Sequence, residues 1–127
     1  MKATATDGKR KKRLVTMCRE LPEAVAVPVG LNNEHLALKV RGKTFGYYAY
    51  DHHGDGLIAL QCKGAPGEQG RLVQEDPKRF FVPPYVGKNG WVALRLDLAK
   101  VDWGEVAYLL RTAYRLSAPR KLVAQLE

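Results

Sequence analysis

Strand-like alternation between short turns is the feature that most constrains the fold of this chain. Alternating patterns cover residues 36–41, 44–50, 57–62 and 91–97. A period of two is typical of strands with one buried face, and Leu36, Leu38 and Val40 are the apolar members of the first pattern. The turns between the first three patterns are short and contain glycine. These features predict an antiparallel meander.

Helical patterns flank the strands. A first helix capped by Asp7 is predicted to end near Pro22, and residues 67–75 indicate a short second helix. Asp102 and Glu105 have the spacing of a capping box, which opens a third helix, and a last helix follows residue 117. The apolar segment 23–30 is either a short edge strand or a covered connection. The sequence therefore predicts a single α+β domain with helices packed on one face of the meander.

The basic residues are unevenly distributed. The 127 residues carry a formal net charge of +8. Residues 1–13 contain six basic and one acidic side chains, whereas residues 14–127 contain 15 basic and 12 acidic ones. We predict a basic N-terminal arm over 1–13 that leads into the first helix, and a folded domain over 14–127. Such an arm attracts polyanions without sequence preference.

The composition also predicts the location of the protein. No apolar run approaches the roughly 20 residues that a membrane-spanning helix needs, and no secretory signal is recognisable. We therefore expect a cytoplasmic protein with no membrane partner. Cys18 and Cys62 lack partners at metal-binding spacing and are predicted to be buried, reduced thiols.

The polar side of the strands is the candidate site. If helices cover one face, the other face presents cations and aromatic rings, joined either by Tyr47 or by the pair Tyr48 and Tyr50. Lysine and arginine neutralise phosphates, and tryptophan can stack on an unpaired base for roughly 1–3 kcal/mol. The predicted nucleic-acid-binding residues are Lys39, Arg41, Lys43, Lys63, Lys88, Asn89, Trp91 and Arg95. The alternative for Trp91 is a packing role against the preceding prolines and Tyr85.

Catalytic and metal sites have little support. His52 and His53 lie between Asp51 and Asp55, but adjacent histidines on an extended backbone point in opposite directions. His35 begins a strand, which indicates a hydrogen-bonded rim position. No glycine-framed serine or phosphate-binding loop is present. We expect no enzyme activity, no metal and no cofactor.

Five segments together resemble the MmcQ/YjbR family of small bacterial proteins. They are LPE (21–23), VRGKTF (40–45), DHHGDGLIALQCKGAPGEQ (51–69), DPKRFFVPPYVGKNGWVALRLD (76–97) and VDWGEVAYLLRTAYRLSAPRKL (101–122). The resemblance implies a CyaY-like (frataxin-like) fold and DNA binding by a double-wing arrangement, in which hairpin loops flank the exposed sheet. Frataxin-type iron delivery would need an acidic first helix, whereas this one carries KRKKR.

We therefore predict a non-enzymatic DNA-binding protein whose affinity comes mainly from phosphate contacts. The main alternative is a protein-interaction or small-ligand-binding module that uses the same sheet face. A third alternative is a solvated face without a ligand. The sequence leaves the oligomeric state open.

Overall fold

The computed structural model describes residues 1–126, and Glu127, the last residue of the predicted domain, lies outside them. The helices are α1 (Ala5–Arg19), α2 (Glu68–Glu75), α3 (Trp103–Arg115) and α4 (Arg120–Ala124). The strands are β1 (Ala24–Val29), β2 (His35–Val40), β3 (Lys43–Tyr50), β4 (Ile58–Cys62), β5 (Phe80–Phe81) and β6 (Val92–Arg95). The predicted α+β class is confirmed. None of the described helices is long and apolar enough to cross a membrane.

The strands form one antiparallel sheet in the order β1-β2-β3-β4-β6-β5. Strands β1 to β4 follow one another as the predicted meander, and the edge-strand alternative for segment 23–30 is correct. Strand β5 departs from that order because it pairs with the outer side of β6, with Phe80 opposite Leu94. Its two residues are too few to show alternation in the sequence.

The hydrophobic core lies between the sheet and the helices. Val92 and Leu94 of β6 point into it, and α3 contributes Tyr114. The pairing of β2 with β3 shifts register within this region, and the buried Phe45 ring beside the shift meets the Tyr114 ring edge-on at 5.8 Å. The Tyr114 hydroxyl donates to the Pro22 carbonyl at 2.7 Å. This hydrogen bond ties α3 to the connection between α1 and β1.

The start of α1 differs from the prediction. Thr4 is the N-cap, and Asp7 is the third helical residue, whose carboxylate accepts from the Thr4 backbone N–H in a capping box. Residues 5–13 therefore belong to α1 rather than to an arm ahead of it. Arg10 donates hydrogen bonds to the carbonyls that follow β6, and the Arg13 guanidinium lies 4.5 Å from the centre of the Trp103 ring. Part of the basic segment is therefore engaged in tertiary contacts.

Candidate functional site

The sheet face opposite α1 and α3, here called the outer face, is partly covered. Gln61 is 5% exposed, Trp91 6% and Ala93 0%. The covering segment is the loop 82–90, which runs from β5 to β6. Gln69 of α2 anchors the end of this loop, because its Nε2 donates to the carbonyls of Gly87 (2.7 Å) and Trp91 (2.6 Å). The expectation that the whole outer face is exposed is therefore wrong for its centre.

Trp91 is placed for packing rather than for stacking on a base. Its ring centre lies 5.8 Å from that of Tyr47, with an angle of 35° between the planes. Tyr47 is thus the tyrosine that joins the outer face, whereas Tyr48 is buried on the core side. Because Trp91 is only 6% exposed, its ring does not offer a base an open face.

The two arginines of the predicted site are paired with carboxylates. Arg95 makes a two-pronged contact with Asp97, at 3.0 Å and 3.1 Å. Arg41 lies in the β2–β3 turn and contacts both carboxylate oxygens of Glu23, at 2.7 Å and 2.9 Å. These hydrogen bonds raise the pKa of both arginines and lower the pKa of Glu23. Neither guanidinium is therefore an uncompensated positive charge.

The predicted lysines remain uncompensated and lie toward one end of the sheet. Within residues 1–126 none of the four forms an ion pair: Lys39, Lys43, Lys63 and Lys88. Lys39 of β2 lies opposite Thr44 of β3. The Lys63 backbone N–H donates to the Phe45 carbonyl at 3.2 Å. The lysines of β2, β3 and the end of β4 therefore share this end of the sheet.

The loop that carries Lys88 lies beside the same end. A Cβ atom on Gly64 would lie 2.8 Å from the Gly90 carbonyl oxygen, so the backbones on the two sides are nearly in contact. Lys63 and Asn89 line one open groove of about 710 Å³. We call this surface the basic end, and it consists of Lys39, Lys43, Lys63, Lys88 and Asn89.

A separate cavity of about 260 Å³ lies on the outer face, between the sheet and the loop 82–90. Tyr47, Ala49 and Gln61 contribute from the sheet, and Tyr85 and Val86 contribute from the loop. The Gln61 side chain makes no hydrogen bond within the described part of the chain, although it is almost fully buried. The cavity was not predicted from the sequence.

The three histidines meet at the rim of this cavity. Asp51 and His53 have left-handed backbone conformations, with φ of 48° and 53°, so the backbone is not extended. The His52 and His53 rings consequently lie 4.2 Å apart instead of pointing in opposite directions, and His52 lies 5.4 Å from His35. Burial, then the neighbouring histidines, lowers the pKa of His52.

His35 occupies the hydrogen-bonded rim position that was predicted. Its Nδ1 accepts from the Tyr50 backbone N–H at 3.0 Å, and its Nε2 lies 3.2 Å from a carboxylate oxygen of Glu34. Both ring nitrogens are therefore engaged within the protein. Among residues 1–126, no group of three or more histidine, cysteine or acidic side chains is arranged to hold a metal ion.

Comparison with known proteins identifies the family. A family model described as YjbR matches residues 19–116. The chain belongs to the YjbR family. The family match covers the whole sheet, the basic end and the cavity, but it begins at the last residue of α1.

A solved structure agrees with this assignment. The crystal structure of Deinococcus radiodurans protein DR2400, with family-model domain DUF419, is similar to this chain at a TM-score of 0.67 and 25% sequence identity. The similarity covers 84% of this chain and 76% of that chain. No curated protein matches the sequence.

Proposed function

We propose that this YjbR-family protein binds nucleic acid, with DNA as the expected form, through phosphate contacts at the basic end. The observation that carries the proposal is the cluster of four lysines without carboxylate partners in the described chain. Clustered ammonium groups release counterions from a polyanion when they contact its phosphates. In the double-wing arrangement implied by the family resemblance, the β2–β3 turn and the loop 82–90 would be the wings.

The expected binding has weak sequence preference. Trp91 is buried and the two arginines are paired, so the groups left at the basic end are lysines and Asn89. Lysine acts on phosphate as a flexible point charge, and one asparagine can contact few base edges. Two free, buried cysteines agree with the reducing environment of the cytoplasm, where we place the protein.

The test uses two variants with the same net charge. In the first, Lys39, Lys43, Lys63 and Lys88 are replaced by glutamine. In the second, glutamine replaces four exposed cations that lie outside both the basic end and residues 1–13: Lys78, Lys100, Arg120 and Lys121. Each variant loses four positive charges, from +8 to +4. Fluorescence anisotropy with labelled single- and double-stranded DNA is measured over a salt series for both variants and the unmodified chain.

We expect the basic-end variant to bind at least about tenfold more weakly at roughly 0.1 M salt, and the control to remain near the unmodified chain. The slope of log K against log salt should fall by about 0.9 for each lysine that contacts a phosphate of duplex DNA. Equal losses in the two variants would mean that only overall charge matters. Binding that is insensitive to salt would exclude a phosphate-driven mechanism.

A further inference from the structure

The outer-face cavity has the features of a small-molecule site. It is separate from the basic end and lies between the sheet and the loop 82–90, partly open to solvent. Its volume, about 260 Å³, is slightly below the roughly 300 Å³ at which the usual range for ligand pockets begins. The groups that line it are mostly apolar or aromatic, with few polar atoms, which is the usual composition of such pockets.

Gln61 supplies the cavity with a polar side chain that has no hydrogen-bond partner in the described part of the chain. It is 5% exposed, it projects from β4 toward the outer face, and it lines the cavity. Its amide offers two N–H donors and one carbonyl acceptor, and none of them is used within residues 1–126. A molecule in the cavity that accepts from Nε2 and donates to Oε1 would pair with this amide in place of water.

The walls define the shape and the charge of the occupant. None of the residues that line the cavity is lysine, arginine, aspartate or glutamate, so a charged ligand would lose its hydration without compensation. Tyr47 and Tyr85 supply aromatic surfaces, and Val29, Ala49 and Val86 supply apolar ones. Aromatic and apolar walls favour a flat ring system over a branched aliphatic molecule.

The backbone at Tyr85 indicates that the rim is held in an unusual conformation. Tyr85 has φ of 65° and ψ of −61°, and the Val86 N–H donates to the Pro84 carbonyl at 2.7 Å. This is the rare, strained form of the γ-turn. Strained residues persist where the surrounding structure requires them, frequently at ligand sites, and this one places Tyr85 against His53, at 5.4 Å between the rings.

We propose that the cavity binds a small, uncharged, planar heteroaromatic ring that carries a lactam edge, meaning an N–H group beside a carbonyl. The ring N–H donates to Gln61 Oε1, and the ring carbonyl accepts from Gln61 Nε2. The same edge occurs in free heteroaromatic molecules and in the bases of a nucleic-acid strand. The proposal does not depend on binding at the basic end.

The test compares paired ligands on the full chain. Hypoxanthine and thymine, both neutral and both bearing a lactam edge, are titrated into ¹⁵N-labelled protein and followed by NMR. Hypoxanthine is paired with 1-methylhypoxanthine and thymine with 1,3-dimethylthymine, neither of which keeps a ring N–H bonded to the carbonyl carbon. The variants are Gln61→Leu and, as a matched control, Gln74→Leu, because Gln74 is exposed on α2.

We expect at least one lactam to shift the resonances of cavity residues, and its methylated counterpart to bind at least about tenfold more weakly. In Gln61→Leu the lactam and its methylated counterpart should bind with about equal affinity. In Gln74→Leu the difference in affinity should persist. Equal binding of both members of each pair would overturn the proposal. So would the absence of shifts in cavity residues for all probes up to millimolar concentration. The comparison of paired ligands on the unmodified chain remains decisive even where Gln61→Leu fails to fold.

A further arm separates the two sources of the ligand. Short single-stranded deoxyinosine and deoxythymidine oligonucleotides are titrated into the unmodified chain and Gln61→Leu. If the ligand is a base within a strand, Gln61→Leu weakens oligonucleotide binding at least about tenfold. If it is a free molecule, Gln61→Leu weakens only the binding of the free lactam. The basic-end variant is measured with the same ligands. If it loses oligonucleotide binding but still binds the free lactam, the two sites are independent.

Discussion

Replacing Arg10 should reveal that part of the basic N-terminal segment stabilises the fold. Its guanidinium donates to the carbonyls of Leu96 (2.7 Å), Leu98 (2.6 Å) and Ala99 (3.0 Å). These bonds attach α1 to the connection between β6 and α3. Lys9 is exposed and forms no ion pair within residues 1–126. Arg10→Met and Lys9→Met remove the same charge and keep an unbranched side chain with good helix propensity.

The expected loss follows from these three bonds. A hydrogen bond that involves a charged group contributes roughly 1.5–3 kcal/mol when it is well shielded from water. The bond to Ala99 is exposed, and water can replace part of each bond once Arg10 is gone. We therefore expect a total loss of about 2 kcal/mol for Arg10→Met. For a domain of this size that loss lowers Tm by about 8 °C. Lys9→Met should change stability by less than about 0.5 kcal/mol.

Urea and thermal unfolding followed by circular dichroism measure both variants. The m-value should stay constant, because the change concerns the native state rather than the surface exposed on unfolding. Arg10→Lys is a third variant that keeps the charge but cannot reach all three carbonyls, and it should recover less than half of the loss. Equal stability of Arg10→Met and Lys9→Met would refute the structural role assigned to Arg10.

Three further predictions concern the cavity rim and the two thiols. Tyr85→Gly should be neutral or stabilising by up to about 1 kcal/mol in urea unfolding, because glycine relieves the backbone strain and the Tyr85 side chain is 71% exposed. Tyr108→Gly, in the middle of α3, should destabilise the protein. If Tyr85→Gly were the more destabilising of the two, the strain assigned to Tyr85 would be contradicted. Burial raises the pKa of Cys18 to about 11 and that of Cys62 to about 12. Neither thiol should therefore react with a disulfide reagent at about pH 8 until urea unfolds the chain. Rapid labelling of the native protein would show that one of the thiols is accessible. The pKa of His52 is lowered on folding, so the stability that the neutral ring contributes above the unfolded pKa of about 6.5 is lost as pH falls toward the folded pKa. The difference in Tm between the unmodified chain and His52→Gln should therefore shrink between about pH 7.5 and pH 5. A difference in Tm that does not change with pH would contradict the lowered pKa.

The parts of the fold that depend on local patterns were predictable. Strand β6 and helix α3 follow from alternation and from Asp102, whose carboxylate accepts from the Glu105 N–H as the third helix begins. The prediction of Asp7 as the N-cap of α1 was wrong because Thr4 and Asp7 can both cap a helix, and only the reciprocal hydrogen bonds between them decide which one does. Strand β5 depends entirely on pairing with a strand that follows in the chain, which local periodicity does not report.

The sequence of the strands contains a signal for the covered outer face. Its positions include four alanines: Ala37, Ala49, Ala59 and Ala93. A solvated face would carry polar or charged side chains at such positions, whereas small apolar ones provide a floor on which another segment can pack. The burial of Trp91 and the presence of the cavity both follow from the loop 82–90 lying on this floor. The conformation of His52 and His53 could not be inferred, because it depends on left-handed backbone at non-glycine residues.

The position of α1 has a practical consequence for anyone who expresses a shortened form of this protein. The family match begins at Arg19, but Leu14 and Cys18 of α1 are fully buried. A fragment cut at residues 19–116 would also lack Leu122 of α4, which is part of the same core. Such a fragment would present an uncovered strip of the sheet to solvent, and it should associate or precipitate rather than behave as an independent domain.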